Sequence, residues 1–211
     1  MPRFDTISII GGGWSFGRVV DAGLLDKVPG AVIGVNDSAL LPICRTALSM
    51  DRLWTEARWG KLREKAVPAW IRRSALKNID REKWPWLHVF ECDHLSHDFS
   101  EHPTVLNGDN SGFCALNLAY IWRPRRIVLF GFDMQRGPKG EPYWHESYPW
   151  RPGGATSPRR YCDWARGFRK AKQRLDARGV KVVNASDRSL LDMWPRVSPE
   201  EFLCSPPASC L

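Results

Sequence analysis

Glycines and a serine follow a short apolar segment near the start of the chain. The segment Ile7–Ile10 predicts a buried strand, and the residues that come after it include Gly11, Gly12, Gly13 and Ser15. Glycines permit a tight turn, and the free N–H groups at the start of the next helix favour an anion. We interpret this turn as a phosphate-binding loop of a nucleotide site; the alternative is a turn that only connects strand and helix. Its spacing matches neither the dinucleotide-binding Gly-x-Gly-x-x-Gly motif nor a P-loop.

Two further polar groups come at the ends of predicted elements. Asn36 follows the apolar strand Ala31–Val35, where its amide can bind a ribose or base edge, or else cap the next segment. Ser111 and Gly112 open an apolar helix, whose first N–H groups would face the carboxyl edge of a parallel sheet. We therefore assign Asn36, Ser111 and Gly112 to the same nucleotide site.

A carboxylate and a histidine are the candidate catalytic groups. Asp133 comes just after the predicted strand Arg126–Phe130, at the sheet edge where α/β proteins bind their ligands, although a turn-forming aspartate is the alternative. His145 lies beside Glu146, and an imidazole next to a carboxylate suits a general base near neutral pH. The alternative is an exposed loop histidine without a catalytic role.

His145 belongs to a long segment that predicts no regular structure. Residues 134–158 are rich in proline and glycine, which is typical of a lid over a binding site. We expect this lid to bring His145 close to Asp133 and the glycine loop, with Glu146 or Asp133 stabilising the imidazolium. The aromatic side chains beside it would exclude water and contact the substrate, and they are Tyr143, Trp144 and Tyr148.

Composition limits the partners. The chain has 211 residues, a net charge of +8 and six scattered cysteines without a Cys-x-x-Cys pair. The charge suits a nucleotide, and it is compatible with an anionic acceptor; no basic run or nucleic-acid-binding motif favours a polynucleotide. We expect a cytoplasmic protein without a membrane span, since no apolar run is long enough and residues 1–6 do not form a signal peptide. An oligomer is compatible with the sequence.

Histidines and acidic residues are concentrated in residues 92–103, which contain His94, His97 and His102. No pair of them has the His-x-x-x-His spacing of a helical metal site, and loops of this composition are commonly solvated. We therefore predict no metal site and no tightly bound cofactor.

Apolar strands alternate with helices along the chain, which predicts a single doubly wound, mostly parallel α/β sheet of the Rossmann-like class over residues 1–203, with the lid at 134–158 and a tail at 204–211. The further strands predicted are Thr46–Met50, Ala69–Arg72, Leu87–Glu91 and Val180–Val183. The predicted helices are Phe16–Asp26, Asp51–Ala66, Phe113–Trp122 and Arg159–Arg178, with short helical turns at Ser189–Trp194 and Ser198–Phe202.

This order of motifs resembles the bacterial sialyltransferases of glycosyltransferase family 42. It is also similar to related Rossmann-like proteins, which include 6-hydroxymethylpterin diphosphokinases and a branch encoded by phages. The likeness extends from Ile7 to about Trp194, and its most specific part is Ser111-Gly112 opening a helix before a strand that ends on Gly131-Phe132-Asp133. The resemblance implies that nucleotide contacts come from Gly11, Gly13, Ser15, Asn36, Ser111 and Gly112. Those sialyltransferases have their base just before the late helix, but residues 155–160 of this chain contain no histidine, so the candidate is His145, which comes earlier.

The expected function is a nucleotide-dependent transferase, in particular a glycosyltransferase that uses a nucleotide-activated sugar. One alternative is Mg²⁺-dependent diphosphoryl or nucleotidyl transfer from ATP, with Asp51, Asp109 and Asp133 as candidate ligands. The other is a phage protein that binds a nucleotide or a partner without catalysis. A nicotinamide dehydrogenase is disfavoured because the glycine spacing and Asn36 depart from its fingerprint.

Overall fold

One all-parallel sheet forms the centre of the protein. The computed structural model describes residues 4–77, 79, 83–96, 98–146, 148–150 and 156–205. The strands are β1 (Thr6–Ile10), β2 (Ala31–Val35), β3 (Thr46–Ser49), β4 (Ala69–Arg72), β5 (Leu87–Phe90), β6 (Arg126–Phe130) and β7 (Lys181–Ala185). The helices are α1 (Gly17–Asp21), α2 (Arg52–Lys65), α3 (Ser111–Trp122), α4 (Pro158–Ala177) and α5 (Pro199–Cys204).

The order of the strands places the chain's first strand at a switch point. The seven strands lie in the order β5-β4-β3-β2-β1-β6-β7, and every pair is parallel. The chain runs outward from β1 to β5 and then returns to the other side of β1 for β6 and β7. Open α/β sheets bind ligands in the crevice at such a point. Ile10 is level with Phe130, so the loops that follow β1 and β6 emerge side by side.

Both faces of the sheet are covered, which confirms the predicted α/β fold. The β1 side chains of Ile7 and Ile9 pack with α3 and α4, in a cluster that includes Phe113 and Phe168. Ile10 faces the other side, where its cluster contains residues of α1 and α5. Strands buried on both faces are near-continuously apolar, as the sequence shows for β1, β2 and β6. Among the described helices, none is long and apolar enough to cross a membrane.

The first predicted helix, Phe16–Asp26, is wrong in its extent. A 3₁₀ turn at Trp14–Phe16 leads into α1, which has only five residues, and a second 3₁₀ turn follows at Leu25–Lys27. Gly23 adopts a φ of +65°, and the N–H groups of Gly23 and Leu24 donate back to the carbonyls of Val20 and Val19. This left-handed glycine ends the helix, as in a Schellman motif.

The predicted helical turn Ser189–Trp194 is also absent, because the backbone there bonds to the loop after β6. Ser189 Oγ donates to the Phe132 carbonyl at 2.5 Å, and the Leu190 N–H donates to the Asp133 carbonyl at 2.9 Å. The last strand extends to Ala185, beyond the predicted Val183, and a helix predicted to end at Phe202 continues to Cys204. The other predicted strands and helices lie within two residues of the observed bounds. Residues 206–211 of the predicted tail lie outside the described part of the chain.

Replacing Gly34 in β2 should destabilise the fold strongly. A Cβ at Gly34 would lie 2.4 Å from Ala39 Cα and 2.5 Å from Ala39 N, which are backbone atoms that have little freedom to move. We expect Gly34→Ala to lower the free energy of unfolding by about 3 kcal/mol or more, measured by urea denaturation. Gly60→Ala in α2, where no atom lies within 4 Å of the added Cβ, is the control and should stabilise by up to about 1 kcal/mol. Equal midpoints for the two variants would contradict the prediction.

Candidate functional site

The glycine loop at Gly11–Gly13 lies directly against the end of β6. The Gly11 N–H donates to the Phe130 carbonyl and the Gly13 N–H to the Gly131 carbonyl, both at 2.8 Å. A Cβ on Gly13 would lie 2.2 Å from Asp133 Oδ2 and 2.5 Å from the Gly131 oxygen. The close approach of the two loops therefore requires glycine at this position, independently of any ligand.

Gly12 differs from its two neighbours. A Cβ there would come no closer than 3.5 Å, to a ring carbon of Tyr143, which is ordinary van der Waals contact. Its N–H has no hydrogen-bond partner among the residues that the structure describes. Of the three glycines, Gly12 is thus the one that packing does not require, and it presents a free donor.

Asp133 lies beneath the glycine loop. Its side chain is 1% exposed, and Oδ2 accepts a hydrogen bond of 3.0 Å from the Ser15 N–H. The other oxygen, Oδ1, is buried without a partner in the described residues. Burial raises the pKa of Asp133 from about 3.8 to about 6, against the opposing effect of the Ser15 hydrogen bonds. This carboxyl group holds the loop in place from behind.

Ser15 is buried with Asp133 beneath the glycine loop. Its hydroxyl lies 3.2 Å from Ser186 Oγ, which in turn accepts from the Phe132 N–H. The structure therefore places Ser15, expected among the nucleotide contacts, in the layer that joins the loops after β1, β6 and β7.

The start of α3 supplies a second set of backbone donors. Asn110 caps the helix, since its side chain accepts from the Phe113 N–H at 2.9 Å, and Ser111 Oγ accepts from the Met50 N–H at 3.1 Å. The first N–H groups of a helix have no partner within it. Gly112 is required by packing, because a Cβ there would lie 2.9 Å from the ring of Phe132.

Asn36 stands at the carboxyl end of β2 in a strained conformation. Its φ of +54° lies in the left-handed region, which asparagine tolerates better than most residues. Its Oδ1 accepts a hydrogen bond of 2.8 Å from Ser49 Oγ, which orients the amide.

These elements surround a cavity of about 420 Å³ at the carboxyl edge of the sheet. Of the residues predicted for the site, those that line it are Gly11, Gly12, Gly13, Asn36, Ser111, Gly112, Tyr143 and Tyr148. Those that are not among its lining residues are Ser15, Asp133, Trp144 and His145. The sequence interpretation missed Arg52, Thr156, Tyr161 and Trp164 as site residues. The sequence offered one indication of these residues: Tyr161 and Trp164 are three residues apart near the start of a predicted helix, a spacing that puts both rings on the same helix face.

The lid is attached to the glycine loop through Trp144. The Trp144 N–H donates to the Gly12 carbonyl at 3.2 Å, and its indole N–H donates to Ser38 Oγ at 3.0 Å. Ser38 Oγ itself donates to the Gly11 carbonyl at 2.8 Å. The indole ring also packs edge-on against Phe16, with ring centroids 5.6 Å apart. Trp144 thus lies against the glycine loop; residues 147 and 151–155 are outside the described chain.

His145 has a different carboxylate neighbour from the one expected. Its Nε2 lies 3.9 Å from Asp37 Oδ2, and Asp37 Oδ1 accepts a hydrogen bond of 2.8 Å from Arg58. Neither Asp133 nor the Glu146 carboxylate makes a described contact with the ring; Glu146 contributes its backbone carbonyl, 2.7 Å from Nδ1. Burial lowers the pKa of His145, and the Asp37 charge offsets this only in part.

In the part of the chain that the structure describes, no group of three or more His, Cys, Asp or Glu side chains is placed to hold a metal ion. His97, from the histidine-rich segment, lies outside those residues.

Comparison of the chain with models of protein families, with curated proteins and with solved structures gives no match to any of them.

Replacing Asp133 should change how stability depends on pH. With a pKa raised to about 6 in the folded protein, Asp133 keeps its proton between pH 4 and 6 while the unfolded chain ionises. Its contribution to stability is therefore present below about pH 4 and lost as the pH rises through about 6. An asparagine side chain cannot ionise, so the variant lacks this loss. We expect the free energy of unfolding of Asp133→Asn minus that of wild type to rise by about 3 kcal/mol from pH 4 to pH 7, measured by urea denaturation. Asp26→Asn, on an exposed turn, is the control, and parallel curves for Asp133→Asn and wild type would refute the prediction.

Proposed function

We propose that this protein is a nucleotide-dependent transferase, and specifically a glycosyltransferase that uses a nucleotide-activated sugar. One observation carries the proposal: the cavity at the β1–β6 switch point is bordered both by the glycine loop and by the start of α3. Backbone N–H groups that have no partner and the positive end of a helix dipole favour a phosphate group there.

The donor would lie along the glycine loop. Its phosphates would accept from the Gly12 N–H and from the N–H groups of Ser111 and Gly112, and the departing nucleotide would carry its charge towards the same groups. Asn36 would bind the ribose or base, because Ser49 already occupies its Oδ1 and leaves its amide N–H₂ for the ligand. No tightly bound cofactor is needed for this chemistry.

His145 would be the base of the site, the group that carries the additional proton once the acceptor hydroxyl has lost its own. Burial lowers its pKa, so the ring is neutral and able to accept a proton near pH 7. Asp37, held by Arg58, would stabilise the imidazolium that forms. Asp133 would act by holding the glycine loop, since it lies beneath the loop and not on the cavity wall.

Mg²⁺-dependent diphosphoryl or nucleotidyl transfer from ATP is the second candidate. The carboxylates of Asp51 and Asp109 both belong to residues that line the cavity, and Mg²⁺ prefers carboxylate oxygens and phosphates as ligands. Asp109 also pairs with Arg160 at 3.7 Å. A strict magnesium requirement for turnover of ATP would favour this candidate over the glycosyltransferase.

The nucleotide site is tested by Gly12→Ala. The added methyl group fits the folded protein but projects from the loop that would contact the phosphates. We expect calorimetry with CMP, UDP, GDP, ATP and the corresponding nucleotide sugars to detect binding by the wild type, and the variant to bind the same compound at least about tenfold more weakly.

Gly60→Ala is the matched control, since it adds the same methyl group on the exposed side of α2, and it should bind like wild type. Absence of binding to every compound at millimolar concentration would refute the proposed function. Binding without turnover of any nucleotide sugar or ATP would instead support a non-enzymatic nucleotide-binding protein.

Catalysis is tested by His145→Ala. Removal of a general base lowers rates by about 10²–10⁴-fold, and we expect a loss of transfer in this range with nucleotide affinity within a few-fold of wild type. His94→Ala, which removes an exposed histidine, is the control. Full activity of His145→Ala would exclude this residue from the mechanism.

A further inference from the structure

We propose that Tyr148 is the group that takes the proton from the acceptor, passing its own proton to His145, and that the acceptor is a neutral sugar hydroxyl. This inference rests on the proposed function and assigns the proton path and the acceptor class of that same site. Tyr148 is among the residues that line the cavity, whereas His145 and Asp37 are not, so an acceptor in the cavity would meet Tyr148 first.

The backbone determines which nitrogen of His145 can accept a proton. Nδ1 lies 2.7 Å from the Glu146 carbonyl, which accepts only, so Nδ1 carries the hydrogen of the neutral ring. Nε2 therefore presents its lone pair, and its hydrogen-bond partner is the Tyr148 hydroxyl at 3.4 Å. The ring stacks on Tyr143 at an interplanar angle of 2°, which restricts its orientation. In the proposed arrangement the Tyr148 O–H donates to Nε2, with the Asp37 carboxylate as a second acceptor beside it.

Asp37 is arranged to stabilise the protonated ring. Its Oδ2 is buried and lies 3.9 Å from His145 Nε2, and Asp37 also lies within hydrogen-bonding reach of Tyr148. Its other oxygen is held by Arg58 from α2. In the neutral state two acceptors therefore face each other, and the arrival of a proton on Nε2 turns this into an ion pair in a site of low dielectric constant.

Tyr148 stays protonated until the reaction step. Burial raises the pKa of its phenol well above the usual range, and the negative charge of Asp37 raises it further. A free tyrosinate therefore does not form. The phenol gives its proton to His145 only as its oxygen takes a proton from the acceptor in the cavity. The ring is positioned by stacking on Trp150, with centroids 5.0 Å apart.

The class of acceptor follows from the cavity wall that Tyr148 belongs to. Four aromatic side chains line this side of the cavity, two from the lid and two from α4: Tyr143, Tyr148, Tyr161 and Trp164. Aromatic faces suit the C–H faces of a sugar, and these rings provide hydroxyl partners without a positive charge. Arg52, which also lines the cavity, is paired with Glu56 at 3.0 Å. The nearby Arg160 is paired with Asp109 at 3.7 Å. An uncharged sugar is therefore the fitting acceptor.

The transfer step balances without a further reactant. The acceptor oxygen forms a bond to the anomeric carbon of the donor as the bond from that carbon to the phosphate oxygen breaks, and the electron pair leaves with the nucleotide. The acceptor proton moves to Tyr148 O while the Tyr148 proton moves to His145 Nε2. The products are the glycoside, the nucleotide and an imidazolium paired with Asp37, which afterwards releases its proton to solvent.

Tyr148→Phe tests the relay because it removes only the hydroxyl and keeps the ring. With CMP-, UDP- and GDP-sugars as donors and lactose as neutral acceptor, we expect kcat to fall by about 10²–10³-fold and the KM for the donor to change less than about threefold. The control is Tyr120→Phe. The hydroxyl of Tyr120 donates to Glu101 at 2.8 Å and is not part of the cavity lining, so this variant should transfer at the wild-type rate. Transfer within threefold of wild type by Tyr148→Phe, with His145→Ala inactive, would overturn the relay and leave the proposed function standing. Use of glucose 6-phosphate in preference to lactose would overturn the neutral acceptor.

A nitrogen-15 NMR titration of the histidines tests the contact without any turnover. We expect the His145 signal of wild type to show the hydrogen on Nδ1. Tyr148→Phe should raise the pKa of His145 by about half to one pH unit, because the neutral ring loses a hydrogen bond while Asp37 remains. Among the described residues, the charged and titratable groups around the ring are Asp37, Arg58, Tyr143 and Tyr148. An unchanged pKa of His145 in Tyr148→Phe, or a hydrogen on Nε2 in wild type, would overturn the relay. This outcome does not depend on whether any nucleotide sugar is turned over, so it is distinguishable from failure of the proposed function.

Discussion

The hydrogen bond from the Ser15 N–H to the buried Asp133 carboxyl is the contact on which the arrangement of the site depends. It joins the loop after β1 to the loop after β6, at the one place where the direction of the chain across the sheet reverses. The carboxyl group occupies the space that a side chain on Gly13 would need. The path of the glycine loop, and with it the position of the Gly12 N–H, therefore follows from a buried acidic group that is costly to ionise.

The same loop carries the lid. Trp144 bonds to the Gly12 carbonyl and, through Ser38, to the Gly11 carbonyl, so two carbonyls of the glycine loop are held by this one side chain and its backbone. Tyr143, His145 and Tyr148 are close neighbours of this tryptophan in the chain. Tyr143 and Tyr148 line the cavity, His145 lies behind it, and Trp144, packed against Phe16, fixes the chain between them.

The glycines of the site have two different physical causes. Gly13 and Gly112 are required because a Cβ would meet the loop after β6, whereas Gly12 has room for one. A glycine-rich turn after a strand indicates both close packing and anion binding, and only the contacts of each residue separate the two. The proposed phosphate contacts therefore depend on Gly12 more than on its neighbours.

The sequence by itself determined the class of the fold and part of the cavity wall. Apolar segments of strand length that alternate with helices predict a parallel sheet, and residues at the carboxyl ends of such strands meet at one edge, so Gly12, Asn36 and Ser111 could be placed together without coordinates. It also predicted a lid at residues 134–158, and the described residues Tyr143 and Tyr148 from this range line the cavity.

Only the tertiary structure decided which of these side chains face the cavity and which stand behind it. Ser15 and Asp133 are adjacent in space although 118 residues separate them in the chain, and their mutual contact turns both away from the ligand side. Asp37 became the partner of His145 because the lid crosses over the turn that follows β2, a long-range packing event with no local pattern in the sequence. Periodicity and turn chemistry report local structure, whereas the choice of one carboxylate over another depends on contacts between distant segments.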